Sequence, residues 1–198
     1  LEVGGAYTMS ECEELVKVAE QTGHHFMFLE NCCYSRREMM ALQMAKQGLL
    51  GEIVHCEGAY THDLRKKIAD GDYRINDYLY RNCENYPTHE IGPIAKLLHI
   101  NRGNRFVSLV SVSSKASGLN AYAKKKDGSN HKYSYTKFAQ GDVVTTILKC
   151  ANGETVTITL DTTLPCPYSR RFTVCGTEGR YIEENDSVYI DGVHNQWE

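Results

Sequence analysis

No Gly-x-Gly-x-x-Gly fingerprint follows a strand-like run in this chain, so a complete dinucleotide-binding βαβ unit is not encoded. No apolar run approaches the roughly 20 residues that cross a bilayer, and no membrane partner is expected. Neither a Cys-x-x-Cys pair nor a His-Glu-x-x-His occurs, so the spacings of structural zinc and of zinc proteases are missing and no metal ligand is assigned. His62-Asp63 has no further ligands at a readable spacing and reads as a hydrogen-bonded surface pair. Positive charge is not in excess either. The net charge of -3 and the pI near 6.3 give no electrostatic reason to expect nucleic acid. The Lys124-Lys125-Lys126 run, followed by the turn signal Asp127-Gly128, reads as a solvated loop. Eight cysteines are present, but Cys32 and Cys33 are adjacent, the others are scattered, and 198 residues do not need staples. A reducing, cytoplasmic setting fits them better than a disulfide scaffold, although export stays open. With no paired base at motif spacing, Cys32, Cys33 and Cys83 read as structural thiols rather than nucleophiles.

What the chain does hold is Asn85-Tyr86-Pro87-Thr88-His89-Glu90-Ile91-Gly92-Pro93, a loop-to-helix junction that brings a tyrosine and a histidine together. Pro87 disfavours helical geometry at Tyr86, and Thr88 is placed to cap a helix running from His89 through Leu98. On that helix's first turn the positive end of the dipole favours a neutral, proton-accepting imidazole.

Other elements are written locally. Thr8 with Glu11 makes a capping box for a helix that ends at Gly23, with His24-His25 at its exit, and Ser35 with Glu38 makes a second, for a helix to about Gln47. Residues 25–29 and 53–60 read as strands, so the first part of the chain runs helix, strand, helix, strand. From Asp63 to Asn85 charge, Asn and Tyr dominate without periodicity, which predicts a long functional loop. Residues 107–112, 142–148, 155–160 and 171–175 read as strands, two of them joined by the hairpin signal Ala151-Asn152-Gly153. The pattern predicts an α+β fold: an open, mostly antiparallel mixed sheet with helices on one face.

Several motifs along the chain carry a resemblance: Glu30-Asn31-Cys32-Cys33-Tyr34, residues 58–65, Tyr86-Pro87-Thr88-His89, residues 100–106 and Pro167-Tyr168-Ser169-Arg170. Together they resemble the glucose–fructose oxidoreductase / inositol dehydrogenase superfamily, and within it the NAD-dependent glycosidases of glycoside hydrolase family 109, which include α-N-acetylgalactosaminidases. The resemblance implies a two-domain enzyme of which this chain is a fragment. Residues 1–30 would be the tail of a Rossmann domain, and residues 31–198 a substrate-binding and oligomerisation domain, itself cut short at its C-terminus. Asn31 stands where the wider superfamily has the lysine of Glu-Lys-Pro, which favours the glycosidase branch. Glu2, Val3 and Asn31 match NAD-contacting positions; Tyr60, Arg74, Tyr86, Pro87, Thr88, His89 and Tyr168 match sugar-contacting ones.

The implied reaction is hydrolysis of N-acetylhexosaminides by transient oxidation at sugar C3, elimination and water addition, with NAD regenerated in each turnover. His89 with Tyr168 or Tyr34 would move the protons. Two alternatives stand beside it: an NAD(P)-dependent sugar or polyol dehydrogenase, and a module that by itself catalyses nothing, retains no NAD and forms homo-oligomers through its sheet.

Overall fold

The computed structural model describes residues 5–195. Helix α1, Met9–Thr22, has the capping box its sequence predicts: the Thr8 hydroxyl accepts the Glu11 N–H, and the Glu11 carboxylate accepts the Thr8 N–H at 2.8 Å. Gly23, in the left-handed region at φ 65°, closes it. No residue of α1 is buried. The strand expected at residues 25–29 does not form, and Phe26, Met27, Phe28 and Leu29 are exposed. An apolar run becomes a strand only where another strand takes its N–H and C=O groups, and among the described residues no strand is paired with this one.

Seven strands make one open sheet in the order β2-β3-β4-β1-β5-β6-β7. They are β1 (Ile53–Thr61), β2 (Phe106–Ser113), β3 (Val143–Cys150), β4 (Thr155–Asp161), β5 (Thr173–Gly176), β6 (Gly179–Ile182) and β7 (Ser187–Ile190). All neighbours are antiparallel except β1 and β4, paired parallel with Tyr60 opposite Leu160. This is the mixed α+β sheet the sequence predicts, extended by the hairpin β6–β7. Alternation decides its two faces. Val144, Thr146 and Leu148 of β3 and Val156, Ile158 and Leu160 of β4 point into the core, while Ile147 and its partner Val110 are exposed on the open face.

On the covered face lie α2 (Arg36–Lys46) and α5 (Thr88–Leu97), which build one hydrophobic cluster with β1, β4 and β5 around Ile94, Val156 and Val174. A second cluster joins Tyr60, Leu64, Tyr78, Leu119 and Phe138 and brings in α3 (Arg65–Ala69), α4 (Ile75–Tyr80) and α6 (Gly118–Asp127). Tyr60, at the end of β1, belongs to this second cluster. The close approach of α5 to β1 depends on Gly58, where a Cβ would meet the Glu90 carbonyl oxygen at 3.0 Å and Ile94 Cδ1 at 3.2 Å.

Four local expectations are corrected. The segment 63–85 is not an irregular loop but holds α3 and α4, helices of five and six residues that are too short to show a period. Lys124, Lys125 and Lys126 form the last turn of α6, where cations suit the helix dipole. Ser35 does precede α2, but its side chain makes no cap bond, and Glu38 is buried against Arg170 instead. Thr88 starts α5 rather than capping it; Pro87 holds the cap position. No helix among the described residues is long and apolar enough to cross a membrane.

Candidate active site

The site is built where the end of β1, the start of α5 and the turn at Asn31–Tyr34 converge. Glu30 precedes that turn and caps it, its carboxylate accepting the Cys32 N–H at 2.9 Å. The same carboxylate meets the His89 Nδ1 with both oxygens, at 2.9 and 3.0 Å. Gly92, one turn along α5, makes this approach possible: a Cβ there would lie 2.7 Å from Glu30 Cγ. Burial opposes a charge on His89, but the Cys32 thiol and the Glu30 carboxylate beside the ring outweigh it and raise its pKa to about 9. Glu30 shifts down despite its burial, because His89 and the Cys32 N–H bond its charged form.

The neutral imidazole expected from the helix dipole is therefore overturned. A dipole at a helix start contributes about 0.3–1 kcal/mol, whereas a buried carboxylate in direct contact is a full charge at close range. His89 is held as an imidazolium whose Nδ1–H donates to the Glu30 carboxylate and whose Nε2 is its second proton site. Pro93 lacks the N–H that would otherwise bond the His89 carbonyl.

Aromatic rings surround this histidine. Tyr86 meets it edge-to-face at 4.8 Å, and Tyr60 at 5.6 Å. Tyr60 and Tyr86 lie 4.8 Å apart, and Tyr168 approaches Tyr60 at 6.3 Å. The structure thus gathers four of the predicted residues, Tyr60, Tyr86, His89 and Tyr168, into one cluster. His62 joins them: its Nδ1 is 3.1 Å from the Tyr60 hydroxyl, and its ring packs on Tyr168 at 5.2 Å. It is therefore not half of a pair with Asp63, which binds Arg65 at 2.7 Å. Strand alternation places Tyr60 and His62 on one side, a signal in the sequence that would have found it.

A cavity of about 410 Å³ opens against the cluster, lined by Tyr60, Tyr73, Arg74, Tyr86, Pro87 and Thr88 among others. Arg74 is fixed by Asp72 at 3.1 Å and sits 5.7 Å from the Tyr86 ring centre. Gln140, buried, anchors the approach to Tyr86 by accepting from the Cys83 N–H at 3.0 Å and from the Asn85 amide at 2.9 Å. His89 and Tyr168 are not among the lining residues. Their rings touch those of Tyr60 and Tyr86, which do line it. Burial raises the pKa of Glu84, on the cavity wall, to about 8, and burial with Glu84 close by raises that of Glu90 well above the usual carboxylate range. These are carboxyls that the fold holds largely protonated.

With this geometry in view, the comparisons with known proteins are specific. The family model for the glycosyl hydrolase 109 C-terminal domain matches residues 34–198. The chain belongs to glycosyl hydrolase family 109. An α-N-acetylgalactosaminidase from Tannerella forsythia is 43% identical, covering 97% of this chain and 46% of its own length. Another from Bacteroides fragilis is 43% identical over 90% of this chain and 44% of its own. The family 109 chain spans about half the length of these curated relatives. Its fold is similar to part of an inositol dehydrogenase homolog from Azotobacter vinelandii, solved with NAD+, at a TM-score of 0.65 and 14% identity over 96% of this chain and 48% of that one.

Two predicted residues, Tyr34 and Asn31, lie outside the ring cluster of this family 109 chain. Tyr34 is exposed beneath the Lys96 ammonium, 4.0 Å from its ring centre, away from the ring cluster. The turn that carries Glu30 inward leaves Tyr34 outside, so the structure does not bring it to His89. Asn31 is exposed at the rim beside Glu30. Glu2 and Val3 lie outside the described residues. Glu30 and Cys32 were part of a recognised motif without a role, and the structure places both against His89. Cys32 thus lies beside a histidine that no motif spacing showed.

Proposed function

We propose that this chain is the sugar-facing portion of an NAD-dependent glycosidase acting on α-N-acetylgalactosaminides or related N-acetylhexosaminides by transient oxidation at sugar C3, elimination and water addition. The observation that carries this reading is the gathering of Tyr60, Tyr86, His89 and Tyr168 at the end of β1, beside a cavity that holds Arg74, in a family 109 chain. Relatives from T. forsythia and B. fragilis carry the name α-N-acetylgalactosaminidase. The tyrosine rings offer apolar faces to a pyranose and hydroxyls to its oxygens. Arg74, held by Asp72, offers a planar fork to a hydroxyl or acetamido oxygen. His89, held charged by Glu30, keeps a proton at Nε2 for the leaving-group oxygen and recovers one from the water that adds. Tyr168, whose pKa burial raises, stays protonated at neutral pH and offers its hydroxyl to the sugar as a hydrogen-bond donor.

The cofactor fits on one side only. The exposed Asn31 amide, next to the Glu30 that holds His89, offers a donor and an acceptor to a nicotinamide amide. When bound, NAD+ supplies the hydride acceptor and returns the hydride within the turnover. Residues 1–30 are read as the end of a Rossmann domain, supported by an α1 that buries nothing and a family match that begins at residue 34. The open sheet face, with Val110, Val112 and Ile147 exposed, is read as a surface for a second copy.

The test uses the protein that carries this chain behind its nucleotide-binding domain, with p-nitrophenyl α-N-acetylgalactosaminide. Release of nitrophenol without net NADH, and solvent deuterium entering at C2, is the expected result. Net NADH with no nitrophenol makes the protein a sugar or polyol dehydrogenase. The absence of both removes the reading. The 198-residue chain by itself is expected to bind no NAD by calorimetry.

A further inference from the structure

The proton chemistry uses His89 and Glu30 and leaves Cys32 without a task. Its thiol is buried, and the Cys32 Sγ, a Glu30 carboxylate oxygen and a His89 ring nitrogen all lie within 4.8 Å of one another. Two elements deliver the three groups. The turn after Glu30 points the first and third residues of Glu30-Asn31-Cys32 at α5, and His89 faces them from the first turn of that helix. Gly92 admits the turn to this distance.

Thiolate, imidazole and carboxylate together are the donor set of a zinc-class cation, and three protein ligands leave a fourth position open. Tetrahedral zinc with its usual bond lengths holds such donors about 3.3–3.6 Å apart. The Glu30 oxygen and His89 nitrogen, at 2.9 Å, need to spread by only about 0.4 Å to admit the ion. The other two separations are bounded by the same 4.8 Å and need to contract at most by about 1.5 Å, within reach of a side-chain rotation.

We propose that Glu30, Cys32 and His89 form a three-ligand site for a thiophilic divalent cation of the zinc class, and that its occupation withdraws His89 from proton transfer. Binding forms metal–sulfur, metal–nitrogen and metal–oxygen bonds and releases the thiol proton and the proton shared by His89 and Glu30 to solvent. No oxidation change is involved. The binding statement stands on the three side chains alone. The inhibitory consequence rests on the glycosidase reading above.

The experiment titrates Co2+ into the reduced 198-residue chain and follows the thiolate-to-cobalt charge-transfer band, with Zn2+ then displacing it in calorimetry. One equivalent is expected, weakened at least tenfold by Cys32→Ser and by His89→Gln and unchanged by Cys33→Ser; melting curves verify that each variant folds. A wild-type chain with no band, or a band that survives in both Cys32→Ser and Cys32→Ala, overturns the site. In the protein with its nucleotide-binding domain, Zn2+ is expected to suppress nitrophenol release reversibly, with EDTA restoring it, and Cys32→Ser to need at least tenfold more zinc. Binding at Cys32 in a protein that never hydrolyses the glycoside removes the glycosidase reading and leaves the site. Hydrolysis that zinc leaves untouched, despite binding, removes the inhibitory consequence.

Discussion

Helices α1 and α5 are opposites in how they are made. α1 has every local device, a reciprocal capping box at Thr8 and Glu11 and a left-handed glycine at its end, yet it buries none of its 14 residues. α5 has no side-chain cap and carries Pro93 in its interior, yet it buries Glu90, Pro93, Ile94 and Leu97 and lies against β1 over Gly58. Capping and propensity start a helix; burial of an apolar face holds it in place. The cluster around His89 rests on the second kind of helix, so its geometry is set by packing rather than by local sequence.

The sharpest way to break this contrast is to excavate α5. Ile94→Ala removes a fully buried side chain and is expected to cost about 2–5 kcal/mol, read as a fall in the urea midpoint. A loss under 1 kcal/mol would mean that α5 is not held by its core face. Gly92→Ala pushes a methyl into Glu30 and is expected to cost about 1–3 kcal/mol. Its separate signature is a His89 pKa that falls back towards 6.5 when followed by NMR, which an effect on helix propensity alone would not produce.

The Glu30–His89 contact also predicts a pH dependence. The folded pKa of His89 lies above its unfolded value, so its stabilisation is fully present below pH 6.5 and is lost as the pH rises through about 9. Glu30 is shifted down, so its contribution is present above pH 4.5 and fades as the pH falls through its folded value. Stability should therefore decline between pH 6.5 and 9, and the decline should flatten in Glu30→Gln; an identical slope in that variant would show that the pair is not the source. The smallest effects belong to α1. Thr8→Ala is expected to lower amide protection within α1 by about 1 kcal/mol while leaving the global melt in place. Val18→Ser, at an exposed position, should fall within about 0.5 kcal/mol of the parent. A larger loss would reveal that α1 is packed.

What could be read in advance follows the same division. α1, α5 and the strands β1 to β5 were legible because each shows a cap, a breaker or an apolar run longer than one turn. The helices α3 and α4 are too short for any period to emerge, and of the three four-residue strands only β5 is marked by an apolar run, Phe172-Thr173-Val174-Cys175. In the site, Tyr60, Tyr86, His89 and Tyr168 were named through the family motifs, and the structure joins them. The charge state of His89 was misjudged because its partner is 59 residues away, beyond any local argument. Tyr34 was misplaced for a related reason. Nearness to Asn31 in sequence is not nearness to His89, because the turn Asn31–Tyr34 buries Cys32 and leaves Tyr34 exposed.

The parallel pairing of β1 with β4 orders the birth of the molecule in time. Tyr60 is made early, but its strand neighbour Leu160 leaves the ribosome 100 residues later, and the antiparallel partner of Glu57, Thr173, later still. Until then β1 is an open edge, and the tyrosines and His89 have no floor to assemble on. The long-range closure is slow, so the nascent chain exposes an aromatic, half-built pocket until Leu160 and Thr173 have been made, the interval in which chaperone capture or misassembly has its opening.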